Sequence, residues 1–295
     1  MDKANQKAYR ITFVGIVINV FLSGIKFLAG IFGRSEAIIA DALHSLSDLT
    51  TDLAVLIGFK GAEKPIDKSH DYGHGKIETL VAAFIGIILF LVGGKILIQG
   101  GQEVAAFLRG ETMPAPEWFT CLAAAISIGM KEVLYRKTVS VGQEIKSRAI
   151  VANAWHHRSD ALSSVAVLCG ISGAIVLGPT WRVLDPLAAI CVSLLIMYMA
   201  FSVLKESLNE LMEASLDDEV EDEIIAIIGN IPGVKYPHNL KTRRIGRNMA
   251  IDIHIKVSKD LNIMEAHNIS TSVEETLRRR FGQEIFVYVH VEPAL

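Results

Sequence analysis

The sequence predicts a membrane protein in which six transmembrane helices precede a small soluble α/β domain. The chain has 295 residues, of which 51% are hydrophobic, and its mean hydropathy is +0.38. Soluble domains have a mean hydropathy near or below zero, so the composition indicates a membrane protein. The segment after residue 204 is too polar to cross a bilayer. It is therefore predicted to fold as a separate domain.

Six apolar stretches approach the length of about 20 residues that a helix needs to cross a hydrocarbon core. They cover residues 11–32, 37–59, 79–99, 118–135, 149–177 and 183–204. The connecting segments carry eleven basic residues on one side and three on the other. The eleven are Lys3, Lys7, Arg10, Lys60, Lys64, Lys68, Lys76, Arg136, Lys137, Lys146 and Arg148, and the three are Arg34, Arg109 and Arg182. This asymmetry predicts a multi-pass protein of the cell (inner) membrane with both termini in the cytoplasm.

The predicted domain boundary separates a membrane domain, residues 1–208, from a cytoplasmic domain, residues 209–295. In the second domain, "AIDIHIKV" alternates so that Asp252, His254 and Lys256 share one strand face, as in a half-buried strand. The predicted elements are a helix at 217–230, strands at 234–244 and 249–257, a helix at 263–280 and a strand at 284–292. This αββαβ order predicts a small open α/β sandwich.

The second apolar stretch carries polar residues that require an explanation. Asp41, His44, Asp48 and Asp52 are spaced by 3, 4 and 4 residues, so they lie on one stripe of a helix. A charged side chain at the centre of a spanning helix costs roughly 2.5 to 3.5 kcal/mol on insertion scales, so it usually faces a polar partner or cavity. In the fifth stretch His156 and Asp160 are also four residues apart.

The polar residues of these two helices are expected at the same depth in the membrane. Asp48 and Asp160 each lie eleven residues from the cytoplasmic end of their stretch, so both lie near the bilayer centre. Two nitrogens and two oxygens at one level form a four-coordinate set suited to Zn²⁺ or a similar ion. The alternative is polar contact between helices, or a pH-responsive pair without metal. His157 points elsewhere on its helix, and Arg158 is a candidate partner for Asp41 or Asp52.

Two further sets of candidate ligands lie outside the spans. The loop "KPIDKSHDYGHGK" contains Asp67, His70 and His74, two imidazoles and a carboxylate at spacings of three and four. The soluble domain offers five candidates, two strands presenting theirs on polar faces. They are His238, His254, His267, His290 and Glu292.

Several functional classes are disfavoured by the sequence. Cys121, Cys169 and Cys191 form no Cys-x-x-Cys pair, which argues against a disulfide framework or thiolate site. The basic residues form no nucleic-acid footprint. A membrane metallohydrolase would use a His-Glu-x-x-His motif, which is absent, so no enzymatic activity is expected. A metal-sensing membrane protein or a channel remains an alternative to a transporter.

These motifs together resemble the cation diffusion facilitator family, in particular its bacterial zinc and ferrous-iron efflux members. The resemblance covers nearly the whole chain and includes "GHGKIE", "HNLKTRR", "IDIHI", "EAHNI" and "VHVEP". It implies a transport site of His44, Asp48, His156 and Asp160, a loop site, and a ferredoxin-like, metallochaperone-like domain through which homodimers form. Many members have Asp at the position of His44, and the histidine favours zinc. Glu292 stands where Asp is common.

The resemblance and the ligand chemistry together imply a divalent metal:proton antiporter that exports Zn²⁺ by alternating access, with Fe²⁺, Mn²⁺ and Cd²⁺ as alternative cargoes. Metal ligands must lose their protons to bind, so the same groups carry either metal or protons. No Walker A loop is present to supply ATP energy. Zn²⁺ bound in the cytoplasmic domain would be regulatory. Lys76 is expected to pair with Glu210 or Glu213 where the membrane and soluble domains meet.

Overall fold

The computed structural model describes residues 3–47, 67–145, 148–246 and 248–294. The chain divides into two compact units. The first comprises Met1–Leu53 and Phe84–Leu204, and the second comprises Ala54–Ala83 and Lys205–Leu295. The described residues 67–83 are therefore part of the same compact unit as the C-terminal segment.

Long apolar helices dominate the first two thirds of the chain. They are α1 (Lys3–Gly33), α2 (described over residues 36–47), α3 (Lys76–Leu108), α4 (Trp118–Glu144), α5 (Arg148–Val176) and α6 (Leu184–Leu211). Of these described helices, all except α2 are long and apolar enough to cross a membrane. The predicted span at 37–59 extends outside the described residues. The predicted helical membrane class is confirmed.

Two helices are longer than the apolar stretches that predict them. Helix α3 has 33 residues and α4 has 27, whereas the predicted spans end at 99 and 135. Backbone hydrogen bonding continues through the polar residues that follow each apolar run, because a helix satisfies its own peptide groups whatever its side chains are. The apolar pattern therefore marks the membrane-crossing part rather than the whole helix.

The core of the first unit is formed by side chains from five helices. Small residues allow the helices to approach closely, as expected inside a membrane domain. Gly86, Gly93 and Gly100 recur at intervals of seven along α3 and face α6. A Cβ atom on Gly93 would lie 2.9 Å from Met197. The buried residues include Ala37, Ile38, Leu89, Ile96, Ala124, Val167, Ile171, Ala189 and Ile196.

The C-terminal part has the predicted αββαβ order, which confirms the second part of the fold class. Its elements are α7 (Asp218–Gly229), β1 (Lys235–Ile245), β2 (Asn248–Ser258), α8 (Ile263–Phe281) and β3 (Phe286–Ala294). Strand β2 is central, antiparallel to β1 and parallel to β3. A parallel pair requires a crossover connection, and α8 provides it.

The two faces of this sheet differ as the alternation in β2 predicts. Ile251, Ile253 and Ile255 are fully buried and pack with residues of α7 and α8. Asp252 and His254 alternate with them and are therefore on the other face. A capping box at Asn262 and Glu265 begins α8, satisfying free backbone N–H groups of its first turn. The sheet thus leaves one polar face open.

The loop before α3 packs on this C-terminal part, within the second unit. The rings of Tyr72 and Phe286 have centroids 5.1 Å apart. Gly246, in the turn between β1 and β2, has φ of +62° and approaches Gly75 so closely that a Cβ atom on Gly246 would lie 2.6 Å from the Gly75 carbonyl oxygen. A side chain at Gly246 therefore meets both an unfavourable backbone conformation and a backbone clash.

We predict that Gly246→Val destabilises this unit by about 3 kcal/mol, because a β-branched residue is strained at positive φ and its Cβ displaces the loop. Thermal unfolding of the full-length protein, followed by circular dichroism, measures the change. Gly229→Ala is the matched control, since Gly229 lies in α7 with no atom within 4 Å of an added Cβ. Equal melting temperatures for the two variants would contradict the close contact.

Candidate metal sites

Helices α2 and α5 position the candidate membrane ligands. His44 lies on α2 and is 3% exposed, and Asp160 lies on α5 and is also 3% exposed. Nδ1 of His156, one helical turn before Asp160, is 3.9 Å from the Asp160 Oδ1 atom. Asp48 and Asp52 lie outside the described residues. The spacing of four therefore brings His156 and Asp160 together on one face of α5, as the sequence predicts.

Two of these ligands carry buried polar atoms without hydrogen-bond partners among the described residues. They are Nδ1 of His44 and Oδ2 of Asp160. Buried polar groups are normally paired, because an unpaired one costs about 1 to 3 kcal/mol. Metal ligation satisfies both atom types, so these residues fit a site for a divalent cation. His44, His156 and Asp160 are not among the described groups whose candidate ligand atoms all lie within 4.8 Å of one another.

Two buried lysines in this region were missed by the sequence analysis. Lys26 of α1 is 2.7 Å from Asp41, and Lys131 of α4 is 3.3 Å from Asp160. Both side chains are almost completely inaccessible to solvent. The sequence does indicate that these lysines have partners, because each one interrupts an apolar stretch and a cation there requires a partner. Spacing within a single helix cannot identify that partner.

The structure corrects the expected pairing of Arg158 with Asp41. Asp41 pairs with Lys26, whereas Arg158 donates a hydrogen bond to the Tyr135 hydroxyl at 3.1 Å and stacks over the Tyr135 ring. The guanidinium thus has an aromatic partner among the described residues, and the alternative partner, Asp52, lies outside them. His157 is buried beside Gly15 of α1, away from the stripe shared by His156 and Asp160.

The loop set is assembled in the structure. Asp67, His70 and His74 each offer an atom within 4.8 Å of the others. Asp67 is 3.3 Å from His70 and 3.4 Å from His74. Hydrogen bonds from the hydroxyl and backbone N–H of Ser69 lower the pKa of the Asp67 carboxyl below its usual value, so it stays ionised at neutral pH. One carboxylate and two imidazoles suit Zn²⁺ or a similar ion.

The sheet brings three histidines into one row across its polar face. His238 of β1 pairs with His254 of β2, which pairs in turn with His290 of β3. Glu292 contacts this row, at 3.0 Å from His254, 3.4 Å from His238 and 4.0 Å from His290. The hydrogen bond with His254 lowers the pKa of the Glu292 carboxyl. His238, His254 and Glu292 form a compact candidate set within 4.8 Å.

Irregularities in β1 aim His238 at this set. The pairing of β1 with β2 shifts register on both sides of His238, and Tyr236 and Asn239 have positive φ of 41° and 51°. Such conformations are uncommon for residues other than glycine, and bulges re-aim side chains next to functional sites. The side-chain amide of Asn239 is 3.2 Å from Nε2 of His254. The two-residue alternation of a regular strand does not predict this arrangement.

His267 is not brought to the row of histidines within this chain. It is exposed on α8, and α8 packs on the apolar face of the sheet. The polar face that carries His254 is the opposite one.

The structure also contains the ion pair between Lys76 and Glu213, which Arg243 extends by contacting Glu213 at 2.9 Å. The alternative partner, Glu210, accepts hydrogen bonds from Thr79 and from the backbone of Gly246. A cavity of about 440 Å³ beside the ion pair is lined by residues that include His70, Tyr72, His74 and Arg243.

These features define a multi-pass membrane protein with a separate α/β domain and clusters of metal-ligating side chains. Comparison with known families gives the class. Residues 12–212 match the cation efflux transmembrane domain, and residues 216–294 match the cytoplasmic domain of cation efflux proteins. The chain belongs to the cation efflux family, the cation diffusion facilitators, whose members transport divalent metals.

Curated relatives match over almost the full chain. The manganese efflux system protein MneP of Bacillus subtilis is 32% identical over 99% of this chain and 98% of its own length. Metal tolerance protein 2 of Oryza sativa is 33% identical over 98% of this chain and 78% of its own length. The magnetosome protein MamB of Magnetospira is 32% identical, covering 94% and 92% of the two chains. Each of these alignments therefore covers most of both matched domains of the present chain.

Proposed function

We propose that this protein exports Zn²⁺ from the cytoplasm in exchange for protons, through a site formed by His44, Asp48, His156 and Asp160. The observation that carries the proposal is the pair of buried ligand atoms, His44 Nδ1 and Asp160 Oδ2, that have no hydrogen-bond partner among the described residues. Two imidazoles and two carboxylates favour a borderline cation such as Zn²⁺. The relative named for manganese efflux supports Mn²⁺ as a second cargo, beside Fe²⁺ and Cd²⁺.

Proton exchange follows from the chemistry of the ligands. Imidazole and carboxylate bind a metal ion only after losing their protons, so protonation from the outer side favours metal release. Re-exposure of the deprotonated site to the cytoplasm completes a cycle of alternating access. No hydrolytic step is needed, and we assign the protein no enzymatic activity.

We also propose an orientation of the protein in the membrane and a separate role for each of its two domains. The asymmetry of basic residues supports an inner-membrane protein with cytoplasmic termini. Residues 1–208 carry transport, and residues 209–295 carry regulation and homodimer formation. Metal at the loop set and at the histidine row of the sheet is regulatory in this scheme.

Flux in sealed proteoliposomes tests the function. The full-length protein is reconstituted with a metal-sensitive dye and a pH-sensitive dye inside, and Zn²⁺ is added outside. We expect metal entry coupled to proton exit, with the metal flux increased by an opposing proton gradient. A channel would pass metal without this coupling. Metal flux that does not depend on the proton gradient would contradict antiport.

We predict that His44→Asp keeps transport but broadens its selectivity towards Mn²⁺ and Cd²⁺, because an oxygen ligand replaces a nitrogen. Competition by Mn²⁺ and Cd²⁺ against Zn²⁺ flux measures the change. His44→Asn is the matched control, since its neutral amide is a weak ligand, and it should lose flux of all three ions. Unchanged competition in His44→Asp would show that residue 44 does not contact the cargo.

A further inference from the structure

The two buried lysines of the membrane unit differ in how well they are satisfied. The Lys26 ammonium lies 2.7 Å from Asp41 and donates hydrogen bonds of 3.1 Å to both Ser45 and Ser164. An ammonium has three donors, so this environment satisfies it. Lys26 therefore joins α1, α2 and α5 as a structural ion pair.

Lys131 has a much poorer environment. Its ammonium lies 3.3 Å from the Asp160 Oδ2 atom, and neither atom has a hydrogen-bond partner in the part of the chain that the structure describes. Charge-assisted hydrogen bonds are normally about 2.7 to 2.9 Å long. A lysine that is 1% exposed thus lacks the close hydrogen bonds that would offset the cost of its desolvation. Its partner is nevertheless a proposed metal ligand.

The two oxygens of Asp160 face different groups. Oδ1 faces His156 at 3.9 Å, and Oδ2 faces Lys131 at 3.3 Å. His44 lies within electrostatic range of both Asp160 and Lys131. The lysine ammonium thus lies beside the carboxylate oxygen that would bind the cargo in the proposed site.

We propose that Lys131 sets the metal affinity of the transport site by acting as a tethered cation that competes with the cargo for Asp160. This inference rests on the proposed function of Asp160 as a ligand. Between transport events the ammonium compensates the buried carboxylate, which would be costly to leave unpaired. An arriving divalent cation displaces it or shares the carboxylate with it, and it returns when the metal leaves. Competition of this kind weakens binding and speeds release.

The test compares Lys131→Met with Lys131→Arg in proteoliposomes containing the full-length protein. Removing the competing charge is expected to lower the Zn²⁺ concentration for half-maximal flux about tenfold, equivalent to about 1.4 kcal/mol, and to lower the maximal rate because release slows. Lys131→Arg keeps the charge and should keep the wild-type concentration dependence. Lys131→Gln, neutral but polar, replaces Lys131→Met if the latter does not fold.

A binding measurement provides a second readout. The metal-dependent rise in melting temperature reports binding to the folded state and should begin at lower Zn²⁺ concentration in Lys131→Met. It is measured in a background in which the loop set is disrupted by Asp67→Ala and His70→Ala, and the set on the sheet by His254→Ala and Glu292→Ala.

A purely structural role predicts a different outcome. Both Lys131→Met and Lys131→Gln would then lose stability and flux, with an unchanged or higher half-maximal concentration, and this result would overturn the inference. Asp160→Asn distinguishes an error in the transport site from an error in the role of Lys131. If it retains flux, the proposed transport site is wrong. If it abolishes flux while the neutral Lys131 variants bind metal no more tightly, only the role of Lys131 is wrong.

Discussion

Asp160→Asn is expected to abolish metal flux at normal expression. The substitution keeps the size and shape of the side chain but removes its negative charge and half of its ligand capacity. Removing a ligand from a four-coordinate site is expected to weaken binding by at least about 10- to 100-fold, the effect seen for supporting residues around metal sites. Flux of Zn²⁺ and Mn²⁺ into proteoliposomes is the measurement.

A second effect of this substitution must be separated from ligand loss. Asp160→Asn also removes the acidic partner of Lys131, and a buried unpaired cation destabilises a protein strongly. The double variant Asp160→Asn with Lys131→Met contains neither charge, so it should recover thermal stability but not transport. Recovery of flux in the double variant would show that Asp160 serves only to neutralise the lysine, and the assigned site would be wrong.

The C-terminal domain illustrates what sequence can predict. Its strands and helices lie within a few residues of their expected positions, because the alternation of Ile251, Ile253 and Ile255 with polar residues directly determines which face is buried. The faces of a single element follow from periodicity. The row of histidines is only partly a consequence of this pattern, since the position of His238 also depends on the two register shifts in β1.

In the membrane unit, spacing in the sequence predicts contacts within one helix but not contacts between helices. The pairing of His156 with Asp160 follows from a spacing of four within α5. The partners of Lys26 and Lys131 are on other helices, 15 and 29 residues away along the chain, and depend on how those helices pack. His267 is close to the other histidines in sequence, but it is exposed on α8, which packs on the opposite face of the sheet.

The double substitution His238→Ala with His254→Ala is expected to raise the cytoplasmic Zn²⁺ concentration for half-maximal flux about tenfold, with little change in the maximal rate. These imidazoles and Glu292 form the compact set on the sheet, and metal bound there stabilises whichever arrangement of the domains binds it best. Losing the ligands removes that bias while leaving the membrane site intact. Flux is measured over a range of metal concentrations on the cytoplasmic side.

His267→Ala is the matched control, because it removes an exposed histidine of the same domain that the structure places on the other side of the sheet. It should leave the concentration dependence unchanged. An equal shift in the control would mean that the histidine row is not the regulatory site within this chain. A double variant that loses metal from the domain yet keeps the wild-type concentration dependence would reduce the cluster to a structural site. If the set is regulatory, the Zn²⁺ concentration for half-maximal flux must change when His238 and His254 lose their metal. The reason is that metal can favour one arrangement of the domains only through the free energy of its binding there.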